Sequence, residues 1–298
     1  MHLDPRKAVV LPNGTCPYCA RSLDGLPSTK EHTVSRRFVP KGALHQSWNL
    51  ILRACRSCNG RKSDLEDDIS AVTLQPDAWG QYPRDDRTAA QEGVRKAKHS
   101  FSRRTKRPVD ASTRTITVTA PLGPGLTASM NLVAPPQIDR GRAFELARLQ
   151  LSALFYWITY DRATRVGRPW PGGFFPIHVA SRGDWGNPLH LGFMRSVLRW
   201  DPRVVATGAG GYFKVVIRRH PDAACWSWAL EWNANYRLLG FFGDEIACQA
   251  AARQLPPLVT GTTARGPQGH SSLRREEPLA EEDDVLFVTT DHTETHDC

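Results

Sequence analysis

Two Cys-x-x-Cys pairs, "CPYC" at 16–19 and "CRSC" at 55–58, constrain this chain more than any other feature. Each pair sits in a turn-like context, so Cys16, Cys19, Cys55 and Cys58 can converge on one tetrahedral ion, and zinc suits four sulfur ligands. A site closed by four cysteines leaves no open coordination position. Its expected role is therefore to fold a segment too small to bury its own core, and the chemistry must come from other residues. This reading needs reduced thiols, and the chain is expected to be cytoplasmic. The start "MHLDPRKAVVLPNG" lacks the charged, apolar, small-residue order of a signal peptide. The longest apolar run, "LSALFYWITY", would span only about half a bilayer, so no membrane association is expected. Of the other cysteines, Cys225 and Cys248 read as core residues and Cys298 as a free tail thiol.

Charge narrows the partner. The 298 residues carry a formal +9, but residues 274–298 hold two Arg against nine Asp or Glu. The tail is thus −7 and the remainder +16. So basic a body points to a polyanion, and nucleic acid is the expected one, with generic solubility as the plainer alternative.

Between the cysteine pairs lie "KEHTVSRRFVP" and "WNLI", and the second pair runs into "NGRKSD". Cutting a phosphodiester needs a base that titrates near neutrality, which histidine supplies, and positive charge for the developing phosphorane. His32, Glu31, Asn49, Asn59 and Lys62 offer that set. Taken singly, His32 reads as a surface histidine, Asn49 as a turn residue and Asn59 as a helix cap.

In this order, the stretch over residues 13–76 resembles the HNH endonucleases, whose fold is a ββα-metal unit. The resemblance implies that His32 is the general base and Asn49 orients it. It makes Asn59 the counterpart of the final motif residue, holding a catalytic Mg2+ or Mn2+ together with Glu31. Lys62, one turn further along the same helix, would neutralise a phosphate oxygen. Two departures stand out: "KGA" follows Pro40 in place of the usual Gly-Gly, and "TVSRRFV" lengthens the gap after His32. Arg36 and Arg37 fall in that insertion, where they could meet a DNA backbone, and His45 is a rival base. Arg61 and the run containing Arg103, Arg104, Lys106 and Arg107 complete the expected nucleic-acid contacts, although such a run is also a common solvated linker.

The expected fold class is α+β. A zinc-stapled HNH domain (1–80) precedes a basic helical linker (81–111), an accessory domain of helices and antiparallel strands (112–257) and a disordered acidic tail (258–298). "NGRKSDLEDDISAVTL" reads as a helix behind an acidic first turn, "TRTITVTAP" and "LTASMNLVAPP" as a hairpin, and "DRGRAFELARLQLSALFYWITYDRATR" as a buried helix. "LHLGFMRSVLRW" and "DEIACQAAARQL" read as helices. "GGYFKVVIRRH", "CWSWALEWN" and "YRLLGFFG" read as strands, the second half-buried, with their aromatics in the core. With residues 111–273 carrying +8, the accessory domain is expected to select substrate, sense a signal or dimerise. The expected activity is metal-dependent cleavage of DNA leaving a 5′-phosphate, in phage defence, a mobile element or repair. A homodimer or two successive nicks would cut both strands. The alternative is a non-catalytic zinc module or adaptor that only binds nucleic acid.

Overall fold

The cysteine segment folds as strand, strand, helix. In the computed structural model, which describes residues 6–288 apart from 78, 79, 83, 85, 259–261, 267, 268 and 274, β1 (Val9–Val10) lies parallel to β3 (Leu50–Cys55). On the other side of β3 runs β2 (Ser28–His32), antiparallel, with Glu31 opposite Leu52 and His32 opposite Ile51. Helix α1 (Arg56–Thr73) follows directly and buries Leu65 and Ile69 in the same cluster as Leu50 and Leu52. It starts at Arg56, ahead of the acidic stretch, so the expected acidic first turn is mid-helix instead.

Residues 81–111, expected as a basic helical linker, hold a helix packed on α1. Helix α2 (Arg87–His99) is capped by the Asp86 carboxylate, which accepts from the backbone N–H groups of Thr88 and Ala89. It packs on α1, where the buried Lys96 ammonium donates to Ser70 Oγ (2.8 Å) and to the Arg37 carbonyl. A hairpin of β4 (Arg114–Gly123) and β5 (Leu126–Ala134) then leads into α3 (Arg140–Ile158), buried on most of its circumference as its sequence requires.

The rest builds one antiparallel sheet in the order β6-β10-β9-β8-β7. Its strands are β6 (Gly173–Ser181), β7 (Asp201–Gly208), β8 (Phe213–Arg219), β9 (Cys225–Trp232) and β10 (Tyr236–Gly243). The cluster containing α3 covers one face, while α4 (Pro188–Val197) and α5 (Glu245–Arg253) cover the other. Central β9 is therefore buried on both sides rather than half-buried: Trp228 and Trp232 face α3, and Cys225 and Ala229 face α4 and α5. Cys225 and Cys248 are core residues as expected, whereas Cys298 lies outside the described residues. A short hairpin, β11 (Thr262–Gly266) with β12 (Gly269–Leu273), follows α5.

Two features revise the expected domain plan. One hydrophobic cluster crosses the boundary, with Phe38 edge-on to Trp232 (centroids 5.5 Å apart) and Trp48 against Trp157 (6.1 Å). Asn233 Nδ2, from the turn after β9, reaches back to the Phe38 carbonyl (3.1 Å) and Thr73 Oγ1 (2.8 Å). Moreover, residues 275–288 of the expected disordered tail form a strap across the sheet. Asp284 pairs with the buried Arg237 (2.6 Å), Glu281 with Arg182 (3.1 Å), and Leu286 is buried among α4 and α5 residues. Among the described residues, no helix is long and apolar enough to cross a membrane.

Candidate metal centre and active-site face

The four paired cysteines meet. Their sulfurs all lie within 4.8 Å of one another, with Cys19 and Cys55 3.8 Å apart. A tetrahedron with metal–sulfur bonds of about 2.3 Å has edges of about 3.8 Å, so the group can hold a metal ion such as zinc. The first knuckle is a tight turn in which the Ala20 N–H returns to the Cys16 carbonyl and Ala20 adopts a positive φ of 59°. Cys55 is the last residue of β3 and the N-cap of α1, and Cys58 sits in the first turn. Burial pushes the Cys16 and Cys58 thiols up. At Cys55 burial also works upward, but hydrogen bonds from Ser57 and Cys58 outweigh it and bring the thiol to about 6. Crowded thiols ionise singly; a divalent ion lets all four be thiolates.

A side chain the sequence reading passed over joins the two knuckles. Buried Asn13 donates to the Thr15 and Arg53 carbonyls (2.7 and 2.8 Å) and accepts from the Arg53 N–H (2.7 Å). The "PNG" context reads as a turn, and nothing local announces a partner 40 residues away.

His32 ends β2, half-buried. Its pKa falls below 6.5, chiefly because burial disfavours the imidazolium and secondarily because Lys30, Arg36 and Lys62 are cationic neighbours. Asn49 fixes the chain just beyond it: Oδ1 accepts from the Val34 N–H (3.2 Å) and Nδ2 donates to the Val34 carbonyl (2.8 Å). The pairing is to the backbone of Val34, two residues beyond His32. His45 is exposed on the turn after Pro40.

Lys62 is not at the surface. Its ammonium is fully buried, 2.8 Å from Glu31, 2.6 Å from Glu66, and donating to the His32 carbonyl (3.0 Å). Burial works to lower its pKa, but Glu66 and Glu31 outweigh that and hold it charged. The expected contact between Lys62 and a phosphate is thus replaced by a structural one. Glu31, 3% exposed, also accepts from the Tyr18 hydroxyl (3.0 Å), whose own pKa burial raises well above 10. Asn59, expected to share a cation with Glu31, donates to Thr29 Oγ1 (2.6 Å). Thr29, Glu31 and the residues that bond them mark the face of β2 turned to α1. On that face the Lys62 ammonium already stands between two carboxylates, so Glu31 and Asn59 do not present a ready divalent-cation site. Among the described residues the four cysteines are the only gathering of three or more His, Cys, Asp or Glu groups placed to share an ion.

The expected nucleic-acid residues divide. Arg36, Arg37, Arg104, Lys106 and Arg107 are exposed. Arg61 pairs with Glu145 (2.8 Å) and Arg103 with Asp64 (2.6 Å), so their charges are partly neutralised within the chain.

Compared with known proteins, the chain matches no family model, no curated protein and no solved structure.

Proposed function

We propose that this chain is an HNH-type endonuclease that hydrolyses phosphodiester bonds, in DNA first of all, with His32 as general base and zinc in the four-cysteine centre. The observation that carries the reading is the way His32 is held. Its carbonyl is fixed by Lys62 and the chain two residues on by Asn49, while the ring stays half-exposed. A rigid backbone beneath an accessible ring whose pKa lies below 6.5 describes a base that is neutral at physiological pH and ready to accept a proton. In the reaction His32 takes the proton of the attacking water, and the phosphodiester's leaving oxygen departs with its own proton from solvent. The family resemblance implies a Mg2+ or Mn2+ requirement. The Lys62 ammonium occupies Glu31, the carboxylate that would share such an ion.

A second reading, a nucleic-acid-binding zinc module without catalysis, is favoured by that same Lys62–Glu31 pair. Plasmid cleavage separates the two. Native protein and His32→Ala, each verified to carry one zinc per chain, are compared with and without Mg2+ or Mn2+. Nicking lost in His32→Ala supports the nuclease; intact plasmid and intact single-stranded substrates with zinc bound leave the binding module.

A further inference from the structure

With Lys62 buried, the positive charge that meets the substrate must come from elsewhere, and strand alternation shows where. Thr29 and Glu31 face α1, so Ser28, Lys30 and His32 occupy the opposite face of β2. Cross-strand pairing sets Lys30 beside Arg53 and His32 beside Ile51, and Val10 of β1 extends the His32 row. On this outer face Lys30 and Arg53 are exposed, as is Val10 at 63%, while Ile51 between His32 and Val10 is buried and the inner residues Leu50 and Leu52 are buried against α1. Arg53 spends one guanidinium donor on Ser28 Oγ (2.7 Å), which holds the fork along the face, and among the described residues neither Arg53 nor Lys30 forms an ion pair. The Lys30–Arg53 row lies two residues, about 7 Å, from the His32 row.

We propose that Lys30 and Arg53 seat the phosphate backbone of the nucleic-acid substrate on the outer face of the three-stranded sheet, in the row next to His32. The proposal rests on the nuclease reading for its substrate and reassigns to this pair the phosphate contact that the resemblance gave to Lys62. A guanidinium and an ammonium side by side bind phosphate oxygens without reading bases, so the seat is sequence-independent and salt-sensitive. The rival seat is the basic turn of Arg104, Lys106 and Arg107.

The test uses the full-length zinc-bound protein in a His32→Ala background, which leaves substrate intact, and a fluorescent duplex oligonucleotide titrated at several salt concentrations. Each phosphate contact contributes about one to the slope of log K against log[salt]. Lys30→Gln/Arg53→Gln should bind more weakly and flatten the slope by about two, while Lys30→Arg/Arg53→Lys, which keeps both charges, should restore it. Zinc content and circular dichroism check that each variant is folded. A slope unchanged in the Gln pair but flattened by Arg104→Gln/Lys106→Gln/Arg107→Gln overturns the seat in favour of the basic turn, and leaves the nuclease reading untouched. Absence of any binding to duplex, single-stranded DNA or RNA also overturns it. If the Gln pair flattens the slope while the native protein cleaves nothing, the seat stands and the nuclease reading falls.

Discussion

Asn49 and His32 divide the work of one loop. Asn49 is buried and its amide serves both the N–H and the carbonyl of Val34, so Asn49→Ala orphans a buried donor and a buried acceptor at once. A loss of about 2 kcal/mol in chemical denaturation is expected. Cleavage should fall by more than tenfold with DNA affinity little changed, because the base is misplaced rather than removed. Equal losses in binding and cleavage would contradict an orienting role. His32 gives the pH dependence. Its folded pKa lies below 6.5, so between that value and 6.5 the unfolded chain binds more protons, and the stability His32 contributes is complete above 6.5 and declines as pH falls. If His32 is the base proposed above, the neutral ring is the active form, so kcat/KM should rise with pH along a limb centred below 6.5 and be level at neutrality. A limb centred above 6.5 in a pH–rate profile would count against this base.

At the scale of elements, two stretches are held by devices of different visibility in the sequence. The cysteine clip was legible because two short spacings carry the whole ligand set, and the structure gathers all four sulfurs. Its removal should be felt first by β2 and the junction of β3 with α1, where Cys55 and Cys58 sit in a small cluster with Cys16, Leu23 and Ala54. Cys58→Ser, or a strong chelator, is therefore expected to release the metal and to open these elements to amide hydrogen exchange before α3 or the five-stranded sheet exchanges. Uniform protection after metal loss would show that the clip is dispensable. The strap was not legible, because acid-rich sequence without periodicity resembles disorder and its partners Arg237 and Arg182 lie 47 and 99 residues upstream. Its seat depends on Gly186, whose N–H donates to the Glu277 carbonyl (2.7 Å) and where a Cβ would strike the Glu277 and Pro278 carbonyl oxygens. Gly186→Ala should detach residues 275–288 and make them sensitive to limited proteolysis, while the native chain is cut there slowly.

For the whole molecule, most strands and helices of 112–257 were legible in type from period and turn residues, while one hydrophobic cluster runs across the boundary expected ahead of them. The Gly and Pro in "GGFFPIHVAS" and "DPRVVATG" mask the strand pattern of β6 and β7, and cross-strand pairing with β10 and β8 makes them the sheet edges. The shared core was hidden because nothing in "RRFVP" or "SWNL" tells that Phe38 and Trp48 meet Trp232 and Trp157. Local patterns report which residues seek burial; only the tertiary fold decides against what. Arg142 adds polar ties across the same seam, to Asp64 (3.2 Å) and Asp68 (2.9 Å) of α1. A body sewn this way should unfold as one unit. Tryptophan fluorescence reports the sheet and α3, and release of the four-cysteine metal to a chromophoric chelator reports the N-terminal hairpin. In a denaturant titration both are expected to change together at one midpoint, and a fragment ending at residue 111 should stay unfolded even with zinc, since Phe38 and Trp48 would lose their partners. Two separated midpoints, with a folded zinc-bound fragment, would restore the picture of independent domains.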